Sequence, residues 1–258
     1  MNAYQDDLLK PYEIKRISCA FEEWCHDIAT GHEYVILDTE TTGLQGEIID
    51  LAIINGQGDV LYNNLLRPKC SIEYGAMKKH HITDSMVRRC NTFAQEWSKI
   101  HDVIRGKSII TYNARFDAER ISHTARVHGV DIGNMVFYCA MVEYAKAYTS
   151  KRSIKLEVAC EQNGIKVAQE HRALPDTFDT LNLIRQRAGV ELLACIKCGA
   201  SARLRSPSGT RYCRKHGYCA RKTCLKSVEN FVLHPRLGIW MCSCVVNFER
   251  EMEAAACD

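Results

Sequence analysis

A chain of 258 residues that is 46% hydrophobic and 25% charged has an ordinary globular composition. Its length suffices for one large domain, or one medium and one small, and no disordered class is indicated. No run of about 18 apolar residues occurs, and the start, MNAYQDDLLKPYEIKR, is charged where a secretory leader needs an apolar core, so a cytoplasmic protein with no membrane partner is expected. The net charge of +3 conceals a division: residues 1–190 carry 23 Lys/Arg and 25 Asp/Glu, whereas 191–258 carry 11 and 6.

In chain order, an amphipathic helix is expected near Ile17–Thr30 and a strand at 33–39. EIIDLAIING and DVLYNNLLRP, separated by GQGD, read as a β-hairpin. A helix at about 91–105 precedes a short apolar strand, SIITYN. In ARFDAERISHTARVHG, Phe116, Ile121, Ala125 and Val127 recur at helical spacing, with Gly129 as a stop. Further helices are expected at about 139–148, 154–163 and 174–188. A hairpin-rich start followed by alternating strand and helix predicts an α/β fold, a sheet covered by helices. The expected division is an N-terminal helical extension at 1–31, a main domain at 32–190 and a small basic module at 191–258, with no internal repeat.

Acids stand at informative places. VILDTETTGL ends a run of strand formers in Asp38 and Glu40, and a buried carboxylate without a partner costs several kcal/mol. TYNARFDAER puts Asp117 one turn into a helix that directly follows a strand, and EHRALPDTFDTL puts His171 five residues before Asp176 at another helix start. Either helix-start acid alone is explained by the helix dipole. Taken together and in order, DTETTGL, YNARFD and HRALPDT resemble the three motifs of the DEDDh group of DnaQ-like 3′–5′ exonucleases, over residues 32–188. That resemblance implies an RNase H-like fold and a catalytic set of Asp38, Glu40, Asp117, His171 and Asp176.

The resemblance also explains acids at a strand end. Four converging carboxylates raise one another's pKa unless divalent cations neutralise them, and oxygen-rich sites suit Mg²⁺ or Mn²⁺. Asp38 and Glu40, two apart on a strand, point to one side of the sheet. Two ions clamping the attacking and leaving oxygens of an in-line phosphoryl displacement are implied. Asp38 is shared between them, Glu40 and Asp176 hold one, Asp117 helps with the other, and His171 is the general base.

Substrate contacts are implied at Thr41, Thr42, Leu44, His80, Asn113 and Phe116. In the family the turn at Thr42, Gly43 and Leu44 lies against the 3′-terminal nucleotide, with an apolar side chain on its base. The same residues alone read as a tight glycine turn with Leu44 in the core. HHITDSMV resembles a family segment that usually reads His-Gly-Ile-Thr, with His81 in the glycine position; His80 and His81 also read as exposed loop histidines. Asn113 either orients the Asp117 helix, contacts the substrate backbone or is a simple N-cap.

The last 68 residues hold eight of the fourteen cysteines. Cys195, Cys198, Cys213, His216, Cys219, Cys224, Cys242 and Cys244 make eight ligands for two structural Zn²⁺ in a zinc-ribbon-like module, by sequential or interleaved pairing. Ten basic residues against Glu229 between Lys197 and Arg236, with Tyr212, Tyr218 and Phe231, suit phosphate gripping and base stacking. A solvated basic face or a protein-docking module is the alternative.

The expected function is a 3′–5′ exonuclease releasing nucleoside 5′-monophosphates, on DNA before RNA. Its partners are nucleic acid with a free 3′ end and a polymerase or other protein. An RNA-trimming or oligonucleotide-degrading enzyme, or a binding and docking protein with an accessory nuclease domain, are the competing readings.

Overall fold

The computed structural model describes residues 11–149, 151–167 and 171–193, and beyond them the backbone of four short strands. Contacts divide the chain into two compact units, Met1–Glu191 and Leu192–Asp258.

In the first unit, Tyr34–Thr41 (β2), Ile48–Asn55 (β3) and Val60–Leu65 (β4) form an antiparallel meander. The β3–β4 turn is tied by Asn55, whose Oδ1 accepts from the backbone N–H of Gln57 and of Asp59, with Gly58 at φ 79°. Ser108–Thr111 (β5) and Met135–Cys139 (β6) continue the sheet in parallel beyond β2, and Tyr12–Lys15 (β1) closes that edge parallel to β6. The order is β1-β6-β5-β2-β3-β4.

Alternation along the strands sends Val35, Leu37, Leu51 and Ile53 to one face, where Phe93–Ile104 (α4) and Ala114–His128 (α5) cover them with Phe93, Ile100, Ile104, Ala118 and Ile121. Ile36, Ala52 and Ile54 are left for the other face, where Ala173–Arg187 (α8) lies on β2 and β3 and Phe21–Thr30 (α1) packs on α8. Each large side chain so buried contributes roughly 1.5–3 kcal/mol. The result is a mixed sheet flanked by helices on both faces, the α/β arrangement expected from the sequence.

Several elements differ from the sequence reading. The first helix starts at Phe21, not near Ile17, and the segment before it supplies β1 to the main sheet. Tyr12 to Lys15 alternates half-buried and exposed over only four residues, too short a pattern to stand out. Tyr74–His80 (α2) and Asp84–Val87 (α3), unanticipated, are about two turns and one turn long respectively. Ala140–Tyr148 (α6) and Leu156–Gln162 (α7) lie within the expected ranges.

In the second unit, Leu204–Arg205 (β7) pairs antiparallel with Arg211–Tyr212 (β8), and Phe231–Leu233 (β9) with Trp240–Cys242 (β10). The residues expected as zinc ligands, Cys195, Cys198, Cys213, His216, Cys219, Cys224 and Cys244, lie outside the described residues; of Cys242 only the backbone is described.

Candidate active site

β2 carries Asp38 and Glu40 past its parallel neighbour β5, on the face that α8 covers. Glu40 stands directly opposite Asp50 of β3, and a bulge follows between Glu40 and Thr41. α8 brings Asp176 from its first turn, and Pro175 is tolerated there because first-turn N–H groups need no helical partner. One oxygen each of Asp38, Glu40 and Asp176 lies within 4.8 Å of the others.

Asp117 approaches from the opposite layer. It sits in the first turn of α5, and its Oδ1 accepts from Thr39 Oγ1 at 2.8 Å. Thus the three-residue span Asp38-Thr39-Glu40 serves both faces: the acids look toward α8 and the threonine between them anchors the fourth acid. Asp117 is outside the tight trio, but it is the strongest like charge on Asp38.

Electrostatics sets this cluster apart. Burial first, then Asp117, Asp176 and Glu40, push the Asp38 carboxyl well above its usual range. Burial raises Glu40 to about 8 and Asp176 to about 7, partly opposed by Lys79, and raises Asp117 to about 7, opposed by its hydrogen bond from Thr39. Carboxylates in this condition favour a proton or a cation.

Two positioning elements were not read from the sequence. Asp50 Oδ2 accepts from Arg172 Nε at 2.7 Å and from the Ala173 N–H at 3.4 Å. This pair pins the start of α8 to β3 and so fixes where Asp176 and His171 emerge. Asp50 interrupts an apolar strand as Asp38 does, a signal available in EIIDLAI, but its partner lies 122 residues away.

His171 has φ 38°, strained for a non-glycine residue, and its ring is partly exposed with Nε2 3.7 Å from Glu157 Oε1. It lines a cleft of about 1350 Å³ together with Lys79, Asn113, Glu157 and Asp176. His171 and Asp176 therefore share one opening.

The remaining expected contacts are divided by the structure. Leu44 is 80% exposed, so it is not the core residue of the plain turn reading. Thr41 Oγ1 donates to the Gly43 carbonyl, and Thr42 Oγ1 accepts from the Glu47 N–H and meets Cys70 Sγ at 3.5 Å, so both buried hydroxyls are engaged by the protein itself. A Cβ on Gly43 would collide with the Glu73 carboxylate. Asn113 precedes α5 without a side-chain capping bond and stands exposed at the cleft, with Phe116 half-buried nearby in the chain.

His80 is no exposed loop histidine but is buried. Its Nδ1 accepts from the Ile82 N–H at 3.0 Å, which leaves Nε2 to donate to the Thr41 carbonyl at 3.2 Å. Burial lowers its pKa, in keeping with the neutral ring this requires. His81 ends α2 at φ 60°, a left-handed position that favours glycine, which accounts for the glycine usual in the resembling segment.

The sequence model of the exonuclease family RNase_T matches residues 35–184, more than half of the chain. The uncharacterized exonuclease CP81 of Escherichia phage 186 is 30% identical over 187 residues, covering 65% of this chain and 92% of that protein. A DNA polymerase III subunit epsilon-like protein of Rhodobacter capsulatus is 29% identical over 57% of this chain, yet the match spans only 22% of its length. Among solved structures, exonuclease X in complex with 5′-overhanging duplex DNA gives a TM-score of 0.47 at 24% identity, over 61% of this chain and 94% of that one. On the family match and the phage relative, the chain belongs to the DnaQ-like 3′–5′ exonucleases and is a metal-dependent nuclease.

Proposed function

We propose that this chain removes nucleotides singly from nucleic-acid 3′ ends, acting on DNA before RNA and releasing nucleoside 5′-monophosphates. The observation that carries the reading is the meeting of Asp38, Glu40 and Asp176 within 4.8 Å, in a domain of the exonuclease family. The donor set offers only oxygens, which fits hard divalent cations, and Mg²⁺ or Mn²⁺ is assigned on that ground. Asp38, Glu40 and Asp176 would hold them, with Asp117 beside Asp38. When bound, such ions stabilise charge on the phosphoryl oxygens.

The protein's own residues supply the rest. His171, facing the same cleft as Asp176, takes a proton from the attacking water as the new P–O bond forms; the P–O3′ bond breaks, and the leaving oxygen acquires a proton from solvent. The strained backbone at His171 is supported by the Asp50–Arg172 tie in the next residue, which holds the imidazole near α8. Leu44, exposed on the turn after β2, packs on the 3′-terminal base. Asn113 and Phe116 approach from the start of α5, while Thr41 and Thr42 contribute the shape of the turn.

Relatives named as DNA polymerase III components support DNA as substrate and a polymerase as a protein partner. The match spans only 22% and 11% of those relatives. The Cys/His-rich segment 191–258 would hold two structural Zn²⁺, and its basic residues would grip the nucleic-acid strand. Digestion of 3′-labelled single-stranded DNA, duplex DNA and RNA, with Mg²⁺ or Mn²⁺, tests the reading. Stepwise release of 5′-mononucleotides, fastest from DNA, is expected. Faster loss from RNA would reverse the substrate assignment, and endonucleolytic fragments would overturn the polarity.

A further inference from the structure

The run Lys78-Lys79-His80-His81 ends α2 beside the acids, and the structure gives its four basic residues different tasks. Lys78 lies over the Tyr74 ring at 5.2 Å. His80 is buried as a strut between Thr41 and Ile82, and His81 turns the chain out of the helix. Lys79 is exposed, lines the cleft with Asn113, His171 and Asp176, and is the strongest positive charge acting on both Glu40 and Asp176. Among the described residues no hydrogen bond or ion pair holds it. Arg172, at the start of the helix that carries Asp176, is committed to Asp50 at 2.7 Å, and Lys155 and Lys166 line the same cleft but are not among the main charges acting on Glu40 and Asp176.

An untied ammonium over a set of carboxylates has two consequences. Without divalent cations it offsets part of the acids' repulsion. With cations on the acids it meets like charge and is driven from them, while an incoming phosphodiester offers anionic oxygens in the same cleft. An ammonium on a flexible stem is a point-charge ligand for phosphate. His80 fixes the helix end from which Lys79 reaches, since both its ring nitrogens are bonded to backbone.

We infer that Lys79 is a further catalytic residue, which leaves the acids when they take up divalent cations and binds the phosphate of the 3′-terminal nucleotide. The inference rests on the nuclease reading above. It is assigned to Lys79 because, of the lysines that line the cleft, Lys79 is the one whose charge acts most strongly on Glu40 and Asp176.

The test compares full-length wild type, Lys79→Gln, Lys79→Arg and Asp38→Ala in two measurements: hydrolysis of 3′-labelled single-stranded DNA, and Mn²⁺ affinity by calorimetry without substrate. Lys79→Gln should lose about 10- to 100-fold in kcat/KM at an unchanged melting temperature, the weight of a hydrogen bond to a charged group. Lys79→Arg should recover most of that loss. Mn²⁺ should bind Lys79→Gln about two- to fivefold more tightly, because a competing charge has gone. A purely structural lysine would lower rate and metal affinity together. That result, or wild-type kcat/KM in Lys79→Gln, would overturn the inference while the active wild type upheld the nuclease reading. A wild type inactive on every substrate would remove both.

Discussion

Glu47 and Glu96 are buried as deeply as Glu40, yet the protein treats these carboxylates in opposite ways. Glu96, between β4 and α4, accepts from Asn91 Nδ2 at 2.6 Å, Lys99 Nζ at 3.0 Å and Tyr62 Oη at 3.3 Å. Burial pushes its carboxyl up, but those donors outweigh it and hold the group below its usual range. Glu47 pairs with His128 Nε2 at 2.7 Å and takes the Lys69 N–H at 2.9 Å. At the end of β2, Asp38, Glu40 and Asp176 chiefly meet one another, and burial and repulsion act in the same direction. A buried acid is therefore ambiguous by itself. What marks the proposed catalytic end of the sheet is negative charge that Lys79 offsets only in part.

The largest expected effect separates the two regions by function. Asp38→Ala should reduce turnover by several orders of magnitude in a Mg²⁺ assay, with the melting temperature unchanged or raised, because removing it relieves repulsion. Near-normal activity in purified Asp38→Ala protein would show that the cluster is not the site. His171→Ala comes next, with a loss of roughly 10²- to 10⁴-fold, partly recovered at high pH where hydroxide replaces the missing base. Abolished substrate binding at an unchanged single-turnover rate would make His171 a positioning residue instead.

The answered acids should respond in the opposite sense. Glu96→Ala strips the acceptor from Asn91, Lys99 and Tyr62 and should cost about 2 kcal/mol of stability, measured by urea unfolding, while kcat stays near wild type. A stabilised Glu96→Ala would erase the distinction between the regions.

A smaller effect is expected in the pH dependence of the metal-free protein. Glu40 at about 8 and Asp176 at about 7 stand above the ordinary carboxylate range. The folded state therefore holds protons that the unfolded chain has released by roughly pH 5. The contribution of these groups to stability is present below the unfolded pKa near 4 and is lost as pH rises through about 7 and 8. The melting-temperature advantage of Asp38→Ala over wild type should widen from about pH 5 to about pH 8, and reverse when Mg²⁺ is added. A difference independent of pH would mean that the acids are not coupled through repulsion.

Much of this site was legible because each motif is local. DTETTGL couples a strand end to its acids, YNARFD a helix start to Asp117, and HRALPDT a helix start to Asp176; each needs only about seven residues of context. The supporting structure was not legible, because it joins distant segments. Nothing in EIIDLAIING shows that Asp50 will meet Arg172, and nothing in HHIT shows that His80 will donate to a carbonyl 39 residues earlier. β1 escaped notice because a four-residue edge strand has almost no period to read. Lys79 was hidden in a basic run whose members differ only in direction, which the α2 backbone and the His80 strut decide together.

The most direct test of the account is a calorimetric titration of Mn²⁺ into metal-free wild type and Asp38→Ala near pH 7, repeated in buffers of different ionisation heat. Carboxylates raised to about 7 and 8 are partly protonated at that pH, so cation binding must expel protons. The account predicts saturable binding to wild type with a proton release that the buffer series reveals, and greatly weakened binding to Asp38→Ala. Equal Mn²⁺ affinity in the two proteins, or binding to wild type without proton release, would contradict it.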